Sequence, residues 1–222
     1  MIKHKLYIDS VQKNINDKVI LSDIFLECET NDIVGILGRN GSGKSTLLKI
    51  IFGTTNADNK FIRLDDKIIR KELYKISNTI SYLPQGNFLP LNLRVSKVVE
   101  LGVDESNAEK FYADDFIFKL KDFRIKDLSA GESRYLEIKL ILFSNSKFVL
   151  LDEPFSGLSP IIIEKVKEEI KRCSLNKAII LTDHNFNEVC DIVTRLYLLK
   201  DGKNHKIIDK EDLVKMNYVN NF

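Results

Sequence analysis

The chain has 222 residues, enough for one or two domains with a sizeable core. Its 34 Lys+Arg and 32 Asp+Glu nearly cancel, at net +2, so the basic excess usual for nucleic-acid binding is missing and no nucleic-acid partner is expected. Cys28, Cys173 and Cys190 form no C-x-x-C pair, which argues against a zinc site or disulfide framework and suits a reducing, cytosolic compartment. No apolar run approaches the ~18 residues of a membrane span, and the basic start Met1-Ile2-Lys3-His4-Lys5 has no apolar run after it, so no signal peptide is expected.

Residues 5–30 predict an antiparallel meander. Ile24, Leu26 and Cys28 alternate with Asp23, Phe25, Glu27 and Glu29, and Asn14–Lys18 supplies the turn. The apolar run Ile33–Leu37 predicts a buried parallel strand, and Thr46–Phe52 a helix stopped at Gly53. Between them Gly38-Arg39-Asn40-Gly41-Ser42-Gly43-Lys44-Ser45 fits the phosphate-binding pattern G-x-x-x-x-G-K-[ST], in the strand–loop–helix setting it requires. Glycines let successive backbone N–H groups curl toward phosphate oxygens, and the helix N-terminus adds partial positive charge. Lys44 is expected to reach the β- and γ-phosphates, and the Ser45 hydroxyl to ligate Mg²⁺.

Lys60–Leu64 predicts a short strand, Asp65-Asp66 a turn, Lys71–Ile76 a short helix, and Thr79–Leu83 a strand ended by Pro84-Gln85-Gly86. Residues 86–127 change character. They hold no clear central strand, and Val95–Leu101 and Glu109–Leu120 show helical spacing. Strand and helix then alternate: a helix over Ser133–Phe143, a strand over Lys147–Leu151, a helix over Ile161–Cys173, a strand over Lys177–Leu181, a helix over Asn185–Ile192, a strand over Arg195–Leu199, a turn at Asp201-Gly202 and a last helix over Lys210–Met216. The fold class is therefore α/β, a mostly parallel sheet with helices on both faces, preceded by an antiparallel β part and interrupted by a small helical insertion.

Two further stretches carry chemistry. Phe148-Val149-Leu150-Leu151 ends in Asp152, a carboxylate at the strand edge where open α/β sheets bind ligands, suited to the Mg²⁺ shell. Glu153 follows, and its carboxylate could polarise a water aimed at the γ-phosphorus. Leu128-Ser129-Ala130-Gly131-Glu132 precedes a helix, with Ser129 as the cap.

This last stretch resembles the L-S-G-G-Q signature of the ATP-binding cassette ATPases, with Ala130 for the first glycine and Glu132 for the glutamine. The order of motifs is similar over essentially the whole chain: the phosphate loop, Gln85, the signature, Asp152-Glu153, Ser156-Gly157-Leu158-Ser159 and His184. Tyr82-Leu83-Pro84-Gln85, Gly131-Glu132-x-Arg134-x-x-Glu137-Ile138 and Ile180–Asn185 look like the transport ATPases of lipopolysaccharide export and branched-chain amino-acid uptake.

The resemblance implies ATP and Mg²⁺ as ligands. Phosphates would rest on Lys44 and the loop backbone, with Thr46 near the α-phosphate. Ser45, Gln85 and Asp152 would serve the magnesium and its waters. Glu153 would be the general base and His184 the γ-phosphate contact. Ser129, Ala130, Gly131 and Glu132 would face the nucleotide of a second ATPase subunit, related by a two-fold axis. Ile15 falls where the family carries an adenine-stacking aromatic, so the base platform here would be aliphatic. Ser159 stands where the family has aspartate.

The implied protein is one nucleotide-binding domain. Residues 1–85 and 128–222 form its catalytic core and 86–127 its helical subdomain. It would act as the cytoplasmic ATPase of a separate integral-membrane permease, peripheral on the inner face of the membrane. A non-transport cassette ATPase and a weakly hydrolysing regulatory subunit stand as alternatives.

Overall fold

The computed structural model describes residues 3–219, so the reading of the N-terminus at Met1 and Ile2 lies outside the described residues. Strands β1 (Lys5–Ile15) and β2 (Lys18–Glu29) pair antiparallel. Asn16 and Asp17 join them with φ of 47° and 61°, the left-handed pair that tight hairpins need and that Asn and Asp tolerate. Ile24, Leu26 and Cys28 are buried and Asp23 and Phe25 exposed, so the alternation does make one inward face. Strand β3 (Ile33–Leu37) runs into the phosphate loop and helix α1 (Lys44–Phe52), which ends where Gly53, at φ 109°, returns its N–H to the Lys49 carbonyl. Strands β4 (Asn59–Leu64), β5 (Lys67–Ile68) and β6 (Ile80–Leu83) follow.

The segment 86–127 holds three short helices, α2 (Val95–Gly102), α3 (Glu105–Tyr112) and α4 (Asp115–Leu120). Helix α5 (Ala130–Phe143), strand β7 (Phe148–Asp152), helix α6 (Pro160–Ser174), strand β8 (Ala178–Thr182), helix α7 (Phe186–Cys190), strands β9 (Arg195–Lys200) and β10 (Lys203–Ile207) and helix α8 (Lys210–Lys215) complete the chain.

Two sheets result. One is antiparallel, in the order β2-β1-β4-β5; the other has six strands in the order β10-β9-β3-β8-β7-β6, parallel except for β10. Every residue of β3, β7 and β8 is buried, as strands covered on both faces require. Their side chains alternate between two cores. Val34, Ile36, Phe148, Leu150 and Ile180 pack with α1 and the inner face of the antiparallel sheet. Ile33, Leu37, Val149, Leu151, Ile179 and Leu181 pack with α5, α6 and the helices of 86–127. A Cβ on Gly35 would come within 2.7 Å of the Val189 and Val193 side chains, so glycine there lets the α7 segment lie directly on β3.

Several elements differ from expectation. The helix predicted over Lys71–Ile76 is only a 3-10 turn at Leu73–Lys75, because so short a stretch cannot offset helix nucleation. The helix predicted over Glu109–Leu120 is two helices. Asp114 breaks it, accepting a hydrogen bond from the Phe116 N–H and capping α4. Helix α5 starts at Ala130 rather than Ser133, because the Ser129–Glu132 capping box secures its first turn. Helix α7 is shorter than the span Asn185–Ile192. Strands β5 and β10 show no apolar alternation and arise from pairing alone, Lys67–Ile68 on β4 and Lys203–Ile207 antiparallel on β9.

A buried ion cluster joins three of the helices. Lys139 on α5 is 1 % exposed, and its Nζ lies 2.8 Å from Asp114 and 2.9 Å from Glu169 on α6. Burial would raise the Asp114 pKa, but hydrogen bonds from Lys139 and from the Tyr135 hydroxyl outweigh it and hold the carboxyl below its ordinary 3.8. A depressed folded pKa stabilises at pH above the unfolded value and is lost as pH falls through the lowered one. Lys139→Met should therefore cost about 3 kcal/mol near neutral pH, since it leaves Asp114 inside without its cation, while Glu169 keeps Arg172. It should also flatten the acid limb of stability below about pH 4. Urea melts of both proteins across pH 3–8 check this.

Candidate nucleotide site

The sheet brings the motif ends together. β3, β7 and β8 end at the same edge, with Asp152 in register opposite Thr182. A cavity of about 270 Å³ opens there, lined by Asn40–Thr46, Ile15, Ile20, Gln85 and Glu153. The phosphate loop has the conformation that its glycines predict, with φ 80° at Gly41 and 102° at Gly43. A Cβ on Gly43 would approach Ile20 and Leu21 within 3.1 Å. Lys44 is buried, and its Nζ donates to the Gly38 carbonyl at 2.8 Å and the Arg39 carbonyl at 3.3 Å. Burial lowers its pKa from the ordinary 10.5, against the opposing pull of the Glu153, Asp152 and Asp183 carboxylates. The ammonium thus rests on the loop's own carbonyls, ready to exchange them for stronger anionic acceptors. The Ser42 hydroxyl is buried with no partner among the described residues. An anion seated in the loop would supply one.

Asp152 is fully buried. Its Oδ1 accepts hydrogen bonds from the Ser45 and Thr182 hydroxyls, both at 2.9 Å, and its Oδ2 accepts one from the Tyr82 hydroxyl at 2.9 Å. Ser45, Asp152 and the Gln85 amide form an all-oxygen donor set, as a hard divalent cation prefers. No group of three His, Cys, Asp or Glu among the described residues makes a metal cage. This set therefore fits Mg²⁺ in its usual mode, held by few protein oxygens with nucleotide phosphates and water completing the shell.

Glu153 takes φ 50°, a left-handed backbone uncommon for a non-glycine residue and often found at functional sites. Its N–H donates to the Thr182 carbonyl at 2.8 Å, which holds the turn. The kink takes the side chain off the strand direction and toward Gln85, whose Nε2 donates to Glu153 Oε2 at 2.6 Å. His184 Nδ1 lies 3.9 Å from the same carboxylate, on a half-exposed ring. Asp183 is fully buried and accepts from the N–H groups of Phe155, His184 and Asn185 at 2.8–3.1 Å, which ties the His184 turn to the stretch after Glu153. Burial raises the Asp183 pKa against those hydrogen bonds.

Lys44, Ser45, Asp152, Glu153, Gln85 and His184 thus converge with the loop residues. Ile15 sits half-exposed at the end of β1 and lines the same cavity beside Ile20, so the wall outside the phosphates is aliphatic. Ser129, Ala130, Gly131 and Glu132 do not line it. They form the exposed start of α5, where the Ser129 Oγ accepts from the Glu132 N–H and Glu132 Oε2 from the Ser129 N–H. Ser159 caps α6 without a side-chain bond. Arg39 directs its guanidinium to the Asn217 carbonyl at 3.2 Å. Tyr82, Thr182 and Asp183 were not assigned roles from sequence. Their contribution depends on strand register and on the turn after β8, and the only local signal is their place at the C-terminal ends of apolar strands.

The sequence profile of the family described as ABC transporter matches residues 21–156. The lipopolysaccharide export system ATP-binding protein LptB of Haemophilus influenzae is 34% identical over 212 residues, covering 88% of this chain and 86% of that protein. LptB of Escherichia coli is 31% identical over 206 residues, with 87% and 86% covered. Among solved structures, a nucleotide-free ATP-binding cassette from an ABC transporter superposes with a TM-score of 0.81 over 97% of this chain and 96% of that chain, at 22% identity. With the P-loop fold and the motif order on common ground, the chain belongs to the ABC transporter family, as an ATPase subunit.

Proposed function

We propose that the chain hydrolyses ATP in order to drive a separate membrane permease, with two ATPase subunits closing head-to-tail on two nucleotides. The reading rests above all on the Glu153 carboxylate, set off its strand by a left-handed backbone and held by Gln85 next to the phosphate loop. Lys44 would leave the Gly38 and Arg39 carbonyls for the β- and γ-phosphates. Mg²⁺, held by Ser45 and through Asp152 and Gln85, would neutralise charge on the phosphate oxygens. Water attacks the γ-phosphorus while its proton moves to Glu153. The bond from the γ-phosphorus to the bridging oxygen breaks, and ADP leaves. The His184 ring, 3.9 Å from the Glu153 carboxylate, would hold the γ-phosphoryl. The exposed N-terminus of α5, with Ser129 and Gly131, would complete the partner's site through its helix dipole.

In this reading residues 1–85 and 128–222 are the catalytic core and 86–127 the docking unit. An apolar groove of about 310 Å³ supports it, lined by Phe88, Leu89, Pro90, Leu93, Leu101 and Leu140 among others. Phe88 is 43% exposed and Leu101 69%. A helix from the permease, with an apolar face, suits such a groove. Leu89 lines the groove from beneath and is not an exposed contact. At 8% exposure it belongs to the core with Val95 and Leu136. No helix among the described residues is long and apolar enough to cross a membrane, and attachment to the inner face would come through this groove.

Three measurements test the reading. Glu153→Gln should retain ATP affinity and lose turnover by ~10²-fold; turnover within twofold of the parent removes the base assignment. Competition between ATP and GTP should show less than ~30-fold discrimination, about 2 kcal/mol, because Ile15 and Ile20 offer no donors to the base edge. Phe88→Glu and Leu101→Glu should leave the melting temperature and ATP affinity unchanged and abolish co-sedimentation with membranes containing the permease. Leu89→Glu, by contrast, should unfold the groove, as a buried unpaired charge does.

A further inference from the structure

Two charged residues of α5 lie inside the protein and take no part in the chemistry above. Glu137 is fully buried and Arg134 is 7% exposed. They pair along the helix, Arg134 Nη1 standing 3.2 Å from Glu137 Oε2. Their remaining hydrogen bonds all go to backbone. Arg134 Nη1 donates to the Pro84 carbonyl at 2.8 Å; Nη2 donates to the Asp152 carbonyl at 2.9 Å and the Glu153 carbonyl at 3.3 Å. Glu137 Oε1 accepts from the Phe88 N–H at 3.0 Å. The pair therefore grips both ends of the segment that carries Gln85, and both carbonyls at the point where β7 ends and Glu153 turns out of the sheet.

We infer that Arg134 and Glu137 are a positioning pair, which sets Gln85 and Glu153 relative to one another and links Phe88 in the apolar groove to the Glu153 turn. This rests on Glu153 being the general base. The physical reason lies in the guanidinium. Its planar fork presents two nitrogens at fixed separation, so one side chain spans Pro84 on one segment and Asp152 on another. Those carbonyls stand at the ends of β6 and β7, where the sheet ladder stops, so the fork replaces the strand partners that the kink at Glu153 removes. An ammonium at the same place is a point donor on a flexible stem, without the fixed separation and planarity that the fork presents to the two carbonyls. Glu137 orients the fork and, through its second oxygen, holds the backbone of a groove-lining residue. A displacement of Phe88 is thereby carried through two buried side chains to the carbonyl of the base.

The test is a double-mutant cycle on the intact protein. Arg134→Lys keeps the cation against Glu137 and should keep the fold. It should lower kcat for ATP hydrolysis about tenfold or more, with KM and ATP affinity within about threefold, the pattern of a lost transition-state contribution. Amide exchange at Phe88 should rise in Glu137→Met and remain slow in Glu137→Gln, which retains an acceptor oxygen. Added to Glu153→Gln, Arg134→Lys should lower turnover no further, because its effect runs through that carboxylate. Turnover of Arg134→Lys within twofold of the parent overturns the inference, and so does a parallel fall of kcat, ATP affinity and melting temperature, which marks a purely structural role. Multiplicative losses in the double variant overturn it as well. If Glu153→Gln alone keeps its turnover, the base assignment fails separately, and the Arg134→Lys result still reports on Gln85.

Discussion

Three hydroxyls close on the buried carboxylate of Asp152, and the geometry of the nucleotide site depends on that convergence. Ser45 comes from the first turn of α1, Tyr82 from β6 and Thr182 from the end of β8. A carboxylate with no exposure is tolerated only when its oxygens are satisfied. The three elements are thereby drawn to one point, and the start of α1 is tied to the sheet edge. The phosphate loop lies between β3 and that anchored helix, so its curl is set in the protein as it stands. Preorganisation of this kind reduces the ordering cost of taking up a phosphate chain.

Glu153 shows the opposite use of the backbone. Its left-handed φ costs on the order of 1 kcal/mol or more and persists because the surroundings over-determine it. The N–H is held by Thr182, the carboxylate by Gln85 and the carbonyl by Arg134. Helix α5 thus works at two ends. Its N-terminal turn stands in solvent with a satisfied capping box and an unshared dipole end. One turn further on it is buried and charged inside, carrying Arg134 and Glu137 against the ends of β6 and β7 and Lys139 against α6.

The segment 86–127 is built differently from the sheet around it. Its three helices are six to eight residues long, too short to be stable alone. They are held by burying Val95, Val99, Phe111, Ile117 and Leu120 against α5 and by the charge on Lys139. What they leave uncovered is the groove at Phe88 and Leu101, an apolar surface beside the segment that carries Gln85.

The residues alone determined a good deal about this protein. The phosphate loop, the apolar strand ending in Asp152-Glu153, and the Ser129 cap are local patterns. Each states its own structure, through glycine torsions, strand burial or helix capping, without reference to distant chain. The α/β class follows from the same local periodicities. Tertiary structure decided the rest, where partners are remote in sequence. Strand order and register bring Thr182 beside Asp152, an encounter that no spacing encodes. Pairing with β9 makes a strand of Lys203–Ile207, whose residues show no strand pattern of their own. Capping by Asp114 splits a run of helical periodicity, because a side-chain acceptor competes with the helix for its own backbone. Leu89 and Phe88, adjacent and both apolar, line one groove yet differ in exposure, 8% against 43%, and that groove exists only once α2 and α5 pack together. Arg134 and Glu137 stand out in sequence only as part of a family-like motif, and only the fold turns the pair inward onto the backbone at the ends of β6 and β7.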